Sequence, residues 1–232
     1  MQWLVRILTS LLPYLKALLQ KPGREVIADF DNRSKDQVYT SDTEIEIKKD
    51  FLTLNKWSRP GIRRKGVEGI EVHWVANPKT SAKGNRQWFE SRKGGKRGFG
   101  STQFIIDQDG DIIQMIPEIE IAYSSGARHY KDGIRQKLGS RPYYKTLSIE
   151  CTHVDWSGKM TPECYDSLAN LCVHLCQKYN LTARHLYLHF DITGKLCHRW
   201  FVDKPNEWSE FKNLVDSLLE HRKSKTPITN NV

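Results

Sequence analysis

The chain has 232 residues, which is long for a typical single domain and short for two well-sized ones. Five cysteines, an odd number, argue against an extracellular fold held together by disulfides. The formal net charge of +9 favours anionic partners, and 38% hydrophobic residues supply an adequate core. Composition therefore predicts one globular domain with a modest extension.

The first segment, residues 1–20, carries apolar residues at helical spacing, interrupted by Arg6, Pro13 and Lys16. It is too short and too interrupted for a transmembrane span, and no small-residue cleavage site follows it. Three interpretations remain open: an interfacial amphipathic helix, an atypical export signal or anchor, and a helix docked on the domain. We favour the amphipathic helix, in weak contact with a membrane surface.

Residues 21–50 begin with KPGREV and are rich in Asp, Lys and Ser. This composition predicts a polar linker whose end, Ile45–Leu54, enters the main domain. We expect that domain to cover residues 51–222 and a short tail to cover residues 223–232.

The first elements of the domain alternate between strand and helix. The pattern predicts a strand over Ile70–Val75 and a helix over Ala82–Arg92, with Trp88 and Phe89 facing inward. The basic runs Arg59–Lys65 and Lys93–Arg97 read as solvated loops. We expect residues 94–100 to form a flexible rim and not a phosphate-binding loop.

Two strands, Thr102–Asp107 and Ile112–Ile116, flank an Asp-Gly pair that marks a hairpin. A further strand is predicted over Leu147–His153. Thr161 and Pro162 are strong signals for a helix start, and that helix runs to about Tyr179. A last helix repeats Trp208, Phe211, Val215 and Leu218 on one face, with Asn206 as its expected cap. These elements predict an α/β fold with a mixed central sheet flanked by helices.

Four of the cysteines read as buried thiols, of which Cys172 and Cys176 share one helix face. Four of the eight histidines have no partner at a useful spacing and are interpreted as structural or surface residues. These are His129, His153, His174 and His221. His185 is four strand residues from His189, about 13 Å, which is too far for both to bind one ion.

The most informative residues are His73, at the end of its strand, and the segment LHFDITGKLC with His189, Lys195 and Cys197. A catalytic zinc ion usually takes three His, Cys or carboxylate ligands and leaves one position open. We expect His189 to close a strand and Asp191–Gly194 to form a turn that returns Cys197. A His and a Cys eight residues apart also occur by chance.

Glu150 lies between Ile149 and Cys151 in an apolar strand. An unpaired carboxylate is costly to bury, so its presence favours a functional role over a structural one. Lys195 precedes Cys197 by two residues and is a candidate to stabilise a developing oxyanion.

Six segments, in this order, resemble the zinc-dependent N-acetylmuramoyl-L-alanine amidase family of T7 lysozyme, phage endolysins, bacterial autolysins and peptidoglycan recognition proteins. The resemblance runs from about Phe51 to Leu219. The segments are DFLTLNKWSRPG, GIEVHWVANP, GSTQFIIDQDGDIIQMIPE, IAYSSGA, LSIECTHVDWSGKMTPECYDSLANLC and LHFDITGKLC. The closest likeness is to the prophage-type and autolysin-type amidases of bacteria.

By this resemblance the zinc ligands fall on His73, His189 and Cys197, the acid/base residue on Glu150 and a lysine on Lys195. Residues 122–126 are expected to form a wall of an open groove. Two positions depart from the family pattern. Thr102 stands where some members have tyrosine, and His198 stands where proline commonly follows the cysteine, so that it is either an alternative ligand or a surface residue.

The resemblance implies hydrolysis of the amide between N-acetylmuramic acid and L-alanine in peptidoglycan, by a phage endolysin or a bacterial autolysin. A non-catalytic peptidoglycan-binding protein of the same fold is the alternative, although such proteins lose the cysteine that Cys197 supplies here. A nucleic-acid binder is disfavoured because no basic face with aromatic stacking partners is evident. Whether the protein is exported or waits in the cytoplasm until lysis stays open.

Overall fold

The computed structural model describes residues 45–225, with side chains through Ser224. These residues fall within one compact unit of the chain. The expected helix over residues 1–20, most of the expected linker and the end of the tail lie outside the described residues. No helix within residues 45–225 is both long enough and apolar enough to cross a membrane.

A six-stranded mixed sheet forms the centre of the described fold, as predicted. Its strands are β1 (Ile47–Lys49), β2 (Gly69–Trp74), β3 (Phe104–Ile106), β4 (Ile112–Gln114), β5 (Thr146–Cys151) and β6 (Leu186–Leu188). The spatial order is β1-β4-β3-β5-β2-β6. Only β3 and β4 pair antiparallel within the described sheet, and the other neighbours are parallel.

Helices flank this sheet and complete the α/β architecture. They are α1 (Ala82–Ser91), α2 (Ile134–Leu138), α3 (Pro162–Tyr179), α4 (His189–Thr193), α5 (Arg199–Asp203) and α6 (Pro205–Lys225). Three single 3₁₀ turns, Arg92–Gly94, Pro142–Tyr144 and Ala183–His185, connect them to neighbouring elements.

The hairpin between β3 and β4 confirms the Asp-Gly turn signal. Asp107 N donates to Asp111 O at 2.9 Å. Gly110 has φ +87°, a left-handed conformation that a residue without Cβ adopts at little cost. The hairpin fixes β3 beside β5, one strand away from β2.

Helix α3 begins and ends as its sequence predicts. The Thr161 side chain accepts a hydrogen bond from Cys164 N, and Pro162 occupies the first turn. Asn180 ends the helix in the left-handed conformation. Cys172 and Cys176 are fully buried, which confirms their assignment to the core.

Two local predictions about the helices are wrong. Trp88 is 42% exposed whereas Phe89 is buried, because adjacent residues on a helix face directions about 100° apart. Helix α6 begins at Pro205, so Asn206 lies in its first turn and is not its cap. The segment Ile45–Leu54 enters the domain as expected, because it contains β1, in which Ile47 pairs with Ile112.

The basic run Arg59–Lys65 is only partly a solvated loop. The Arg59 guanidinium makes two hydrogen bonds to the Glu120 carboxylate, at 2.8 and 2.9 Å. Arg64 is 7% exposed and donates to three backbone carbonyls, those of Glu118, Glu120 and Thr146. These two arginines therefore join the chain before β2 to the segments around β4 and β5.

The strands β2 and β5 lie at the centre of the sheet and run parallel. Every residue of β2 is buried, and all but one of β5. Parallel strands bring their carboxyl ends to the same edge of a sheet. That edge also receives the end of β6, so side chains from three strands converge there.

Candidate metal centre and substrate groove

His73, His189 and Cys197 meet at the carboxyl edge of the sheet. His73 is the last but one residue of β2, His189 follows directly after β6, and Cys197 follows α4. One ligand atom from each residue lies within 4.8 Å of those from the other two. All three residues are buried, so the structure brings together the trio that the sequence singled out.

The spacing of these atoms fits a zinc ion. His73 Nδ1 lies 3.7 Å from Cys197 Sγ, and two such ligands on one tetrahedral zinc stand about 3.5 Å apart, given the usual bond lengths. The His73 and His189 rings approach edge to face, with centroids 4.8 Å apart. His189 Nδ1 is buried without a hydrogen-bond partner. A bound cation satisfies such a nitrogen, so the donor set and the geometry both suit zinc.

The local backbone that presents His189 differs from the prediction. His189 does not close a strand: it begins α4, and the expected turn Asp191–Gly194 is helical through Thr193. The Asp191 side chain accepts from Leu188 N at 2.8 Å and caps this short helix. Phe190 N then donates to Cys197 O at 2.8 Å, which returns the cysteine to the histidine.

Glu150 stands beside this trio. It is the register partner of His73 on the adjacent strand. Its Oε2 is buried and has no hydrogen-bond partner. Burial raises the pKa of Glu150 to about 7, against smaller opposing effects from His73 and Lys195. A carboxyl group with a pKa near neutrality suits both proton acceptance and proton donation.

Lys195 lies in the loop between α4 and Cys197 and lines the same cavity as Glu150 and the trio. Its positive charge lowers the pKa of Glu150. The structure therefore places the lysine and the carboxylate in one site, although it leaves Lys195 itself exposed.

The two histidines experience opposite electrostatic environments. Burial lowers the pKa of His73, but the Cys197 sulfur, Glu71 and Glu150 outweigh it and hold that pKa well above its usual value. Burial, together with the charge of His73, lowers the pKa of His189 to about 3. A neutral His189 has a lone pair available for a metal.

Glu71 is a site residue that the sequence interpretation missed. It is fully buried two residues before His73, on the same face of β2, with Oε2 3.1 Å from His73 Nε2. The signal was present in the segment GIEVHW, where a charged residue interrupts an apolar strand. Glu150 carries the same signal in the segment LSIEC.

Neither departure from the family pattern adds a residue to the trio. Thr102 is buried, and its Oγ1 donates to Ser148 O at 2.9 Å, so it belongs to the sheet interior. His198 is neither a ligand in the trio nor a surface residue. It is fully buried against Phe201, with ring centroids 5.0 Å apart. Both of its ring nitrogens are buried without a hydrogen-bond partner, and burial lowers the pKa of His198 to about 3, so the ring is neutral.

His153 is buried as well, and its Nε2 accepts from Asn77 N at 3.2 Å. A hydrogen-bonded ring away from the trio is structural, as expected for this histidine. His185 belongs to a 3₁₀ turn and not to the strand that precedes His189, and its Nδ1 contacts the backbone of Thr182.

A cavity of about 1720 Å³ opens above the trio. Tyr123, Ser124 and Gly126 line it, which confirms the expected wall over residues 122–126. A row of aromatic rings supports this wall, because Phe99 contacts Tyr123 at 5.2 Å and Tyr123 contacts Tyr143 at 5.9 Å between centroids. The groove is thus large enough for several units of a polymer.

The charges that line this groove are mostly positive. Its described cationic residues are Arg92, Arg135, Arg141 and Lys195, and its single acidic lining residue among those described is Glu150. A groove of this sign raises the local concentration of anionic ligands.

Comparisons with known proteins agree with this geometry. A family model described as N-acetylmuramoyl-L-alanine amidase matches residues 63–205. The N-acetylmuramoyl-L-alanine amidase CwlL of Bacillus licheniformis is 30% identical over 181 residues, which cover 77% of this chain and 49% of that protein. The amidase BlyA of Bacillus subtilis (strain 168) is 27% identical over 177 residues, covering 73% of this chain and 46% of that protein. The chain spans about half the length of the curated relatives it matches.

Solved structures show the same fold. The catalytic domain of XlyA superposes with a TM-score of 0.56 at 22% identity, covering 74% of this chain and 99% of that chain. PlyL superposes with a TM-score of 0.59 at 19% identity, covering 74% of this chain and 98% of that chain. Because the family model spans well over half of the sequence and includes all three expected ligands, the chain belongs to the type 2 N-acetylmuramoyl-L-alanine amidase family.

Proposed function

We propose that the protein hydrolyses the amide bond between N-acetylmuramic acid and L-alanine in bacterial peptidoglycan, with zinc held by His73, His189 and Cys197. The observation that carries this proposal is the three-ligand trio directly beside Glu150 on the floor of a large groove. The names of the curated relatives support the substrate and the bond.

Zinc in a site of this kind polarises a carbonyl and lowers the pKa of a coordinated water to about 7. Glu150 accepts a proton from the attacking water through its unpartnered Oε2. After the carbonyl carbon becomes tetrahedral, Glu150 returns this proton to the departing nitrogen of L-alanine. A single carboxyl group with a pKa of about 7 serves both transfers near neutral pH.

Lys195 stabilises the negative charge that develops on the former carbonyl oxygen. Its ammonium group stands in the same cavity as Glu150. The positive charge also favours the ionised form of Glu150, which is the form required to accept a proton.

The groove suits a branched, anionic polymer. Phe99 and Tyr123 present ring surface along the wall, and aromatic rings pack well against the apolar faces of sugars. Arg135 and Arg141 supply positive charge for the carboxylates of stem peptides. The groove is open, so an internal bond of a long chain can reach Glu150.

Product analysis tests the bond assignment. Purified peptidoglycan is digested with the recombinant protein, and the products are identified by mass spectrometry and end-group labelling. The proposal requires stem peptides with a free L-alanine amino group and glycan strands with a free lactyl carboxyl group. New reducing sugars, or peptides cut between amino acids, would show that a different bond is hydrolysed.

A non-catalytic peptidoglycan-binding protein is the second candidate, because the cationic, aromatic groove serves recognition equally well. Sedimentation of the protein with purified walls, in parallel with the digestion, separates the two candidates. Binding without any released L-alanine amino group in the zinc-loaded protein favours recognition alone.

A further inference from the structure

Glu71 is a carboxylate buried in the centre of the sheet, where an unpaired charge is costly. It lies on the same face of β2 as His73, and the two side chains approach to 3.1 Å between Oε2 and Nε2. An ionised carboxylate can only accept hydrogen bonds, so His73 Nε2 is the donor.

The other carboxylate oxygen of Glu71 is engaged as well. Ser125 Oγ donates to Oε1 at 2.8 Å, and Thr146 Oγ1 donates to the same atom. These partners come from the groove wall and from the start of β5. Hydrogen bonds from three segments leave the carboxylate little freedom to rotate.

Arg64 compensates the negative charge without contacting it directly. It is buried and donates to the backbone oxygen of Thr146, the residue whose hydroxyl group bonds to Glu71. Burial lowers the pKa of Arg64 to about 10, and the negative charge of Glu71 is the largest effect that opposes this. Two hydroxyl groups and a ring nitrogen contact the carboxylate oxygens, an environment that suits the ionised form.

The orientation of His73 follows from this arrangement. Its Nε2 points to Glu71, while its Nδ1 faces Cys197 Sγ at 3.7 Å. With the proton held on Nε2, the lone pair of the neutral imidazole is on Nδ1, where the other two ligands converge. A partner carboxylate also increases the basicity of the ligating nitrogen.

We propose that Glu71 is a positioning residue, which orients His73 and fixes its proton on Nε2 so that Nδ1 binds the metal. This inference rests on the zinc centre of the proposed function, and it adds a residue that is not itself a ligand. Glu71 is not a fourth ligand, because its Oε2 engages the ring nitrogen opposite the one that faces Cys197.

The decisive experiment measures zinc affinity and not hydrolysis. Glu71→Gln keeps an oxygen that can accept from His73 but removes the charge. We expect the zinc dissociation constant, measured by competition with a chromophoric chelator at neutral pH, to rise about 10- to 100-fold. The matched control is Glu120→Gln, which removes a partly buried carboxylate paired with Arg59, outside the metal centre. Its zinc affinity should equal that of the unaltered protein.

A second measurement needs no variant and remains available if Glu71→Gln does not fold. In the zinc-loaded protein with ¹⁵N-labelled histidine, NMR should show a proton on Nε2 of His73 that exchanges slowly with solvent and none on Nδ1. An unprotonated Nε2 would overturn the inference, and so would a folded Glu71→Gln variant with unchanged zinc affinity.

These results separate the positioning role from the proposed activity. If the protein binds zinc tightly but releases no L-alanine amino groups, the hydrolytic function fails, while weaker binding by Glu71→Gln still supports the role of Glu71. If hydrolysis proceeds and Glu71→Gln binds zinc as tightly as the unaltered protein, only the positioning role fails.

Discussion

Glu150 and His73 are register partners on the adjacent parallel strands β5 and β2, so a carboxylate and an imidazole stand side by side at one sheet edge. The backbone hydrogen bonds between these two buried central strands fix the relative position of the two side chains. Residues on a loop would be held less rigidly. The catalytic role proposed for Glu150 depends on this placement.

Replacing Glu150 should abolish turnover without releasing the metal. Glu150→Gln removes the proton acceptor but is not one of the three converging ligands, so we expect kcat to fall by about 10²- to 10⁴-fold. The measurements are release of L-alanine amino groups and zinc content of the same sample. Glu210→Gln, on the exposed side of α6, is the control and should retain full activity. Undiminished wall hydrolysis by Glu150→Gln would refute the assigned role.

The same substitution should stabilise the metal-free fold at high pH. The folded-state pKa of Glu150 is raised from 4.5 to about 7, so the folded state binds more protons than the unfolded state between these values. The free energy of unfolding therefore falls as pH rises through this window, by up to about 3 kcal/mol.

Glu150→Gln lacks this titration. We expect its advantage in unfolding free energy over the unaltered protein to be greater at pH 8 than at pH 4, as measured by urea denaturation after metal removal. An equal difference at both pH values would show that Glu150 is solvated or paired in the folded state.

Cys197 should be required for metal binding, unlike the other buried cysteines. Cys197→Ser replaces a thiolate that lies 3.7 Å from His73 Nδ1, and we expect substoichiometric zinc after dialysis. Cys176→Ser alters a buried thiol in the core of α3 and serves as the control. It should lower thermal stability but retain one zinc per chain, as read by atomic spectroscopy. Full zinc retention by Cys197→Ser would remove the cysteine from the ligand set.

Lys195 should affect both the rate and its pH dependence. Lys195→Ala removes a positive charge that lowers the pKa of Glu150, so that pKa should rise. We expect kcat to fall about 10- to 100-fold, and the acidic limb of the pH profile to move to higher pH. Lys212→Ala, on α6, is the control. An unshifted acidic limb would show that Lys195 does not act on Glu150.

Phe99 should contribute to substrate binding and not to chemistry. It is 59% exposed and lines the groove, so Phe99→Ala should cost little stability. We expect KM for soluble glycan-peptide fragments to rise several-fold with kcat nearly unchanged, because the lost contact is the same before and during reaction. Trp156→Ala removes a similarly exposed ring that does not line the groove and is the control. A fall in kcat at constant KM would contradict this assignment.

The sheet, the hairpin, α3 and the convergence of His73, His189 and Cys197 could be predicted from the sequence. The hairpin and α3 follow from short-range signals, namely the Asp-Gly turn and the Thr161 cap. Glu150 is recognisable in the same way, as a charged residue in an apolar strand. The resemblance to a family then supplies the pairing of His73 with two distant residues. Hydrophobic periodicity alone cannot predict a contact across more than a hundred positions.

The features that sequence did not predict depend on tertiary context. Arg64 and His198 are buried because other segments of the folded chain pack over them. The local sequence around each residue does not indicate this burial. Helix α4 is only one turn long, too short for periodicity to reveal, so its residues read as a turn. Glu71 was detectable as a charged residue within β2, but its partners Ser125 and Thr146 become neighbours only in the folded chain.

Reversible metal dependence of bond cleavage tests the central claim most directly. Release of L-alanine amino groups from purified peptidoglycan is measured before chelation, after chelation and after one equivalent of zinc is restored, with metal content determined on each sample. The account predicts one zinc per chain, loss of release on chelation and recovery with zinc. Release that persists in demonstrably metal-free protein would contradict it.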